Sequence, residues 1–215
     1  MNITLFGATG PTGRALLPLA VRDGHKVTAV ARDPSALANP PAGVSVRHGD
    51  VLDRDSLSGS VDGADAVISA LGSHSGRAPT TVYSTGTAHI LETMAAAGVR
   101  RLVVLSAAPL VPGDRRPTFE RVVVDPILHR FFGGGYADMA RMEQLLAGSE
   151  AGSDVDWTVL RPPRLTDKPG TGRYRSGVEA AVPRGWNIPR ADLARAMLDA
   201  LDDPGTIRTR IAVAT

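Results

Sequence analysis

Gly7-Ala8-Thr9-Gly10-Pro11-Thr12-Gly13 follows the run Ile3-Thr4-Leu5-Phe6 without a spacer and leads straight into a stretch with helical apolar spacing. Strand, glycine-rich turn and helix in that order form the setting in which backbone amides receive a diphosphate. Gly7 supplies the tight turn, Gly10 lets the backbone approach a pyrophosphate with no side chain in the way, and Gly13 permits close packing of helix on strand. Pro11 fits the first helical turn, where its missing N–H costs little. Gly7, Thr9, Gly10, Pro11, Thr12 and Gly13 are therefore the expected phosphate-binding residues.

Working outward, short aliphatic or β-branched runs alternate with stretches of helical spacing, the pattern of strands and helices around a parallel sheet. Strands are expected at 3–6, 26–31, 44–48, 66–70, 101–106, 156–160 and 210–214, and helices at 11–22, 34–38, 55–61, 80–97, 137–147 and 190–201. In the helix expected at 80–97, Ile90, Leu91 and Met94 recur at helical spacing and Gly98 stands where a left-handed terminator belongs. The reading is an α/β fold, a doubly wound parallel sheet of Rossmann type with about seven strands and helices on both faces. One domain over 1–215 is expected. Two Pro-, Gly- and Arg-rich stretches, 109–135 and 161–189, each follow a strand and are expected to wall a substrate site, because ligands bind at the carboxyl ends of such strands.

Composition narrows the function. The chain holds no cysteine, which excludes disulfides, thiolate metal sites and cysteine nucleophiles. Charged residues, Gly or Pro interrupt every apolar run before the roughly 20 residues needed to cross a bilayer, so no membrane anchor is expected. The first apolar segment meets Gly7 too early for a signal peptide, and a cytoplasmic location is expected. Net charge is only +2, and the arginines are scattered without interleaved aromatics, so nucleic acid is not an expected partner. A small-molecule redox acceptor is, with the chain a monomer or homodimer. His25, His48, His74, His89 and His129 lack metal-ligand spacing, and no metal is expected.

Beyond the glycine turn, Arg32-Asp33 follows the second expected strand at the distance where an adenosine ribose is met. An acid there pairs with ribose hydroxyls, whereas Arg grips a 2′-phosphate, so Arg32, assisted by Arg14, favours NADP (NADPH), with NAD possible through Asp33. Asp50 and Val51 close the third strand, near the adenine, and Asp50 either accepts from the adenine amine or caps the next helix. Leu71-Gly72 pass beneath the cofactor after the fourth strand. Ser106 ends the fifth and is the candidate catalytic residue, orienting the nicotinamide carboxamide or holding a substrate. Pro162-Pro163 shape the backbone leaving the sixth strand, and Arg164 can attract an acidic substrate. No Gly-x-Ser-x-Gly elbow surrounds Ser106, which disfavours a hydrolase.

The spacing G-x-x-G-x-x-G resembles extended and atypical short-chain dehydrogenases. Together with Arg32-Asp33, Gly49-Asp50-Val51, Ala78-Pro79-Thr80-Thr81-Val82, Ser106-Ala107, Pro162-Pro163 and Pro169-Gly170-Thr171-Gly172, it resembles the atypical group that contains biliverdin reductase B, also called flavin reductase, with looser kinship to nitrogen-regulator-like proteins. The resemblance implies hydride transfer from NADPH to a flavin-like, quinone-like or other planar acceptor. Its looser branch implies the alternative, a non-catalytic NADP-binding sensor. Short-chain dehydrogenases usually carry Tyr with Lys four residues on, but Tyr83, Tyr136 and Tyr174 are followed at that spacing by Thr87, Ala140 and Val178. In the resembled group a His follows the Pro-Pro turn, where this chain has Arg164, and an aromatic stands near Ala108. These departures count against tetrapyrrole reduction and leave flavin reduction, which needs little beyond positioning.

Overall fold

In the first strand, β1 (Asn2–Phe6), Ile3 and Leu5 turn to one apolar cluster while Phe6 turns to another. That alternation, the period of a strand, recurs along the neighbouring strands and creates two faces, each of which needs a helical cover. The computed structural model describes residues 1–73, 78–112, 125–148 and 154–215, the side chains of 125–129 and 131 excepted. The other strands are β2 (Lys26–Ala31), β3 (Val44–His48), β4 (Ala66–Ser69), β5 (Arg101–Leu105), β6 (Asp156–Arg161), β7 (Arg164–Thr166), β8 (Arg175–Val178), β9 (Asn187–Pro189) and β10 (Thr209–Ala214). The helices are α1 (Pro11–Arg22), α2 (Ser84–Ala97), α3 (Asp125–Gly148) and α4 (Arg190–Asp202).

The main sheet has eight strands in the order β3-β2-β1-β4-β5-β6-β10-β8. All neighbours run parallel except β8, which joins β10 antiparallel at the edge. Leu16, Leu17 and Ala20 of α1 and Leu193, Met197 and Leu198 of α4 cover the face that carries Ile3, Leu5, Ile68, Val103 and Ile211. Ile90, Leu91 and Met94 of α2 and Met142 and Leu146 of α3 cover the face that carries Phe6, Val67, Val104 and Val159. This is a doubly wound α/β fold of Rossmann type.

Several elements differ from their sequence expectation. The stretches expected as helices at 34–38 and 55–61 are short 3-10 turns, Pro34–Leu37 and Asp55–Leu57. The helix expected from residue 80 begins at Ser84, because Thr80, Thr81 and Val82 are β-branched and because the start is set from outside: Asp138 of α3 accepts from the Tyr83 amide at 2.8 Å and from the Ser84 amide and hydroxyl. Gly98 does close it, at φ +70°. Within 109–135, residues 125–135 belong to α3 despite Pro126 and the low helix propensity of Gly133-Gly134-Gly135, while 113–124 lie outside the described residues. His74 and the side chain of His129 also lie outside them. Within 161–189 the chain forms β7, β8 and β9, and β8 raises the sheet to eight strands. Its Ser176-Gly177 centre and exposed edge position left no apolar alternation to read.

Pro169-Gly170-Thr171-Gly172 has a structural task. The amides of Thr171 and Gly172 and the Thr171 hydroxyl donate to the buried Asp192 carboxylate in the first turn of α4 at 2.8–3.1 Å, which ties this stretch to the helix. The two helices on that face are themselves joined where Arg195 of α4 donates to Asp23 just after α1. That hydrogen bond, opposed by desolvation and helped by the Arg195 charge, holds the Asp23 carboxyl below its ordinary value. A depressed folded value stabilises above the unfolded value and is lost as pH falls through the folded one. Asp23→Asn should therefore cost about 0.5–1 kcal/mol near neutrality, small because the pair is partly solvated. The cost should vanish once pH has fallen below the folded value, as checked by urea unfolding of both proteins across pH.

Candidate dinucleotide site

Register places the site. Phe6 pairs with Val30 and Ser69, Ala31 with His48, Ser69 with Val104, and Leu105 with Leu160. Gly7, Arg32, Gly49, Ala70, Ser106 and Pro162 therefore step off one carboxyl edge of the sheet together, the edge where such folds bind ligands.

At the glycine turn the three glycines differ in what they avoid. Gly7 sits at φ +79°, and a Cβ there would lie 2.4 Å from the Ala70 carbonyl oxygen. A Cβ on Gly13 would lie 2.3 Å from the Gly7 carbonyl oxygen, so this glycine lets α1 press against the turn. Gly10 is different. Its backbone is extended (φ −72°, ψ 164°) and a Cβ would meet only the Gly7 carbonyl oxygen at 3.4 Å. Nothing inside the protein requires glycine there, whereas a close visitor from outside would. No side chain caps Gly10 and no acid stands in the first turn of α1. Among the described residues the Thr12 and Gly13 amides have no backbone acceptor, which leaves the positive end of the helix available to an anion. These features fit the diphosphate of a dinucleotide.

Arg14 is committed to holding this turn: Nε donates to the Thr9 carbonyl at 2.9 Å and Nη2 to the Ala36 carbonyl at 2.8 Å. It braces the turn after β1 against the turn after β2. Asp33 Oδ1 accepts from the Ser35 amide at 2.9 Å and the Ser35 hydroxyl at 2.6 Å, and these bonds lower its pKa. Arg32 beside it is exposed. Asp50 caps its own turn by accepting from the Leu52 amide at 3.0 Å, while Val51 is buried against α2 and its carbonyl accepts from His89 Nδ1 at 2.8 Å. Gly72 is exposed with open space around it, and Leu71 packs on Gly86 of α2. The Tyr83 hydroxyl accepts from the Ser73 amide at 3.0 Å, and burial raises its pKa, so it remains a neutral phenol near neutrality.

Ser106 lies past β5, 4% exposed, and its hydroxyl donates to Glu143 Oε1 of α3 at 2.6 Å. Arg161, the last residue of β6, donates to the same carboxylate through Nε at 3.0 Å and through Nη2. Arg210 adds Nε at 3.1 Å, reaches Glu179 through Nη1 at 3.4 Å and lies over the Trp157 ring at 5.3 Å. The Ala108 amide donates to the Pro162 carbonyl at 2.9 Å, which locks the Ser106 turn to the Pro162-Pro163 turn. Arg164 stands on the surface in β7.

Glu143 and Arg161 were not among the expected site residues. The signal was present in pattern: Glu143 falls on the apolar stripe set by Met139, Met142 and Leu146, and Arg161 continues the inward alternation of Trp157 and Val159. A concavity of about 500 Å³ lies elsewhere, at the amino ends of β1, β2 and β3. Only a 3-10 turn connects β3 to β4 beside it, its lining includes Thr28 and Ser45, and it is remote from the glycine turn. Among the described residues no group of three His, Asp or Glu could hold a metal, and no helix is long and apolar enough to cross a membrane.

A family model described as NAD(P)H-binding matches residues 7–204. The chain belongs to this family. The NAD(P)H-binding chain is 28% identical to YwnB of Bacillus subtilis, covering 99% of this chain and 98% of that one. It is 32% identical to a 3-diazoavenalumate denitrifying reductase of a Streptomyces species, over 88% of this chain and 64% of that protein. In fold it is similar to the oxidoreductase ylbE of Lactococcus lactis, with TM-score 0.81, 19% identity and coverage of 100% and 91%. It is also similar to a short-chain dehydrogenase/reductase of Veillonella parvula solved in complex with NADP, with TM-score 0.77, 21% identity and coverage of 100% and 94%. The NAD(P)H-binding family is broader than the flavin reductase group that the motifs resemble.

Proposed function

We propose that this NAD(P)H-binding protein is an NADPH-dependent oxidoreductase whose acceptor is planar, flavin-like or quinone-like. The observation that carries the cofactor choice is the division of labour at residues 32 and 33. Asp33 Oδ1 accepts from both the amide and the hydroxyl of Ser35, which ties this acid to its own turn, while Arg32 is exposed on the same edge. A guanidinium there matches a 2′-phosphate. When bound, NADPH supplies a hydride to the acceptor, which takes its proton from solvent. The protein's share is placement. The amides at the start of α1 hold the diphosphate, and Val51, Leu71 and Gly72 border the adenosine side. Ser106, with its proton committed to Glu143, offers lone pairs only, which suits it to accept from the nicotinamide carboxamide; Pro162 and Pro163 close that side. The relative named as a reductase supports redox turnover.

Stopped-flow oxidation of NADPH with FMN, riboflavin and quinones tests this reading. Acceptor-dependent decay is expected; micromolar NADP affinity with no such decay for any acceptor replaces the enzyme with an NADP-binding sensor. Arg32→Glu should weaken NADPH binding about 100-fold, the ~3 kcal/mol of a strong charge-assisted contact, and change NADH binding less than about threefold. Equal loss for both coenzymes in calorimetry would remove Arg32 from the cofactor argument.

A further inference from the structure

Because α3 joins the parallel neighbours β5 and β6, it runs back across the sheet against the strand direction, and its amino-terminal turns project past the carboxyl edge where Ser106 stands. Met142 and Leu146 are buried in the apolar cluster beneath the helix, and Met139 packs against it. Gly135 continues the same stripe four residues earlier, yet a Cβ built there would meet nothing within 4 Å. The helix has passed the end of the sheet by that point. Glu143, at the border of the stripe, receives the Ser106 hydroxyl. Tyr136 and Phe132, seven and eleven residues before it, fall within about 20° of Glu143 around the helix and stand about 10 and 16 Å farther along its axis. Tyr136 is half-buried, Phe132 is 50% exposed, and their rings touch at a tilt, with centroids 6.2 Å apart and planes at 52°. Single exposed apolar side chains are ordinary surface, but this ring pair lies on the line of α3 that also carries the partner of Ser106.

Building on the proposed reductase reading, we infer that the Tyr136 ring is the stacking platform for the acceptor, and that it selects acceptors whose fused rings are long enough to reach it. A ring held beside Ser106 sits at the level of Glu143. A single ring there ends short of Tyr136, whereas three fused rings extend along the overhang toward it. The interval is uncharged, with Gly135, Met139 and Ala140 flanking Tyr136, which suits the body of an aromatic system better than a charged substituent. An aromatic face accepts any planar π-system, so the platform discriminates by length and flatness and not by a hydrogen-bond pattern. Phe132 is a positioning residue: its tilted contact holds the Tyr136 ring in place.

The test is steady-state turnover of the full chain with NADPH and two acceptors, riboflavin with three fused rings and duroquinone with one, together with riboflavin binding to the NADP⁺-saturated protein. Tyr136→Ala should raise both KM and Kd for riboflavin at least about tenfold, while KM for duroquinone and the affinity for NADPH stay within about twofold. Tyr136→Phe keeps the ring and discards the hydroxyl, so it should match the parent. Phe132→Ala acts from an exposed position and should raise KM for riboflavin about threefold with kcat unchanged, Phe132→Tyr restoring it; this pair decides the matter if Tyr136→Ala melts early. Loss of kcat in Tyr136→Phe would make the phenol a proton donor. That result, an unchanged riboflavin KM in Tyr136→Ala, or equal rises for both acceptors overturns the inference, and turnover by the parent then keeps the reductase reading. No acceptor-dependent oxidation by the parent, with riboflavin binding still weakened by Tyr136→Ala, overturns the reductase reading and retains the platform. A parent that neither turns over nor binds riboflavin overturns both.

Discussion

Gly10→Asp is expected to yield a folded protein that has lost its dinucleotide, with NADPH affinity down by more than about 100-fold and thermal stability equal to or slightly above the parent. The apo protein tolerates the change because Gly10 has ordinary extended dihedrals and room for a Cβ. It also gains from it, since position 10 is the uncapped N-cap of α1, where Asp is among the best residues and improves on Gly by a few tenths of a kcal/mol. The same carboxylate occupies the anion's place and satisfies the amides the diphosphate would use, so binding and stability move in opposite directions. Gly13→Ala is the contrasting control. Its Cβ would collide with the Gly7 carbonyl oxygen and the Ala8 backbone, at 2.3 and 2.7 Å. Backbone cannot swing aside as a side chain can, so a loss of at least about 2 kcal/mol is expected. Paired calorimetry and thermal melts check both; an equal loss of stability in the two variants would reduce Gly10 to a turn residue.

Glu143→Ala should have the largest effect on folding, a loss of about 3–5 kcal/mol in urea unfolding, because it strands the Arg161 guanidinium in the interior and strips Arg210 of one partner. Replacing the pair together, Glu143→Leu with Arg161→Met, should recover most of that loss, since a buried ion pair is worth little over an apolar pair of similar volume. Arg210 then retains Glu179 and the Trp157 face. The double variant should nevertheless fail in NADPH turnover, because Ser106 has lost the acceptor that orients its hydroxyl. A double variant as unstable as the single one would mean that the cavity, and not the stranded charge, dominates.

The fold was legible because its signals are local. Ile3 to Phe6 alternates, Gly7 to Gly13 punctuates, and Ile90, Leu91 and Met94 repeat at helical spacing, so one turn of chain carries each message. The misreadings fall where a distant group sets the outcome. Where α2 begins is governed by Asp138, 55 residues away in sequence from Tyr83, and β8 exists only because β10 offers it an edge. Arg14 shows the same dependence within the site: its Nε and Nη2 meet the Thr9 and Ala36 carbonyls, the second 22 residues away, a contact no local pattern announces. The clash distances that separate Gly10 from Gly7 and Gly13 likewise required coordinates.

From the amino-acid order alone came the strand–turn–helix that opens the chain, the doubly wound architecture and the position of Arg32 just past the second strand, because backbone sterics and apolar period act over a few residues. Only the tertiary structure decided that Asp33 Oδ1 turns to Ser35, that Ser106 gives its proton to Glu143, and that Arg161 shares that carboxylate from inside the fold. Hydrogen bonds between groups far apart in sequence depend on which side chains packing brings within 3 Å, and no local rule encodes that meeting.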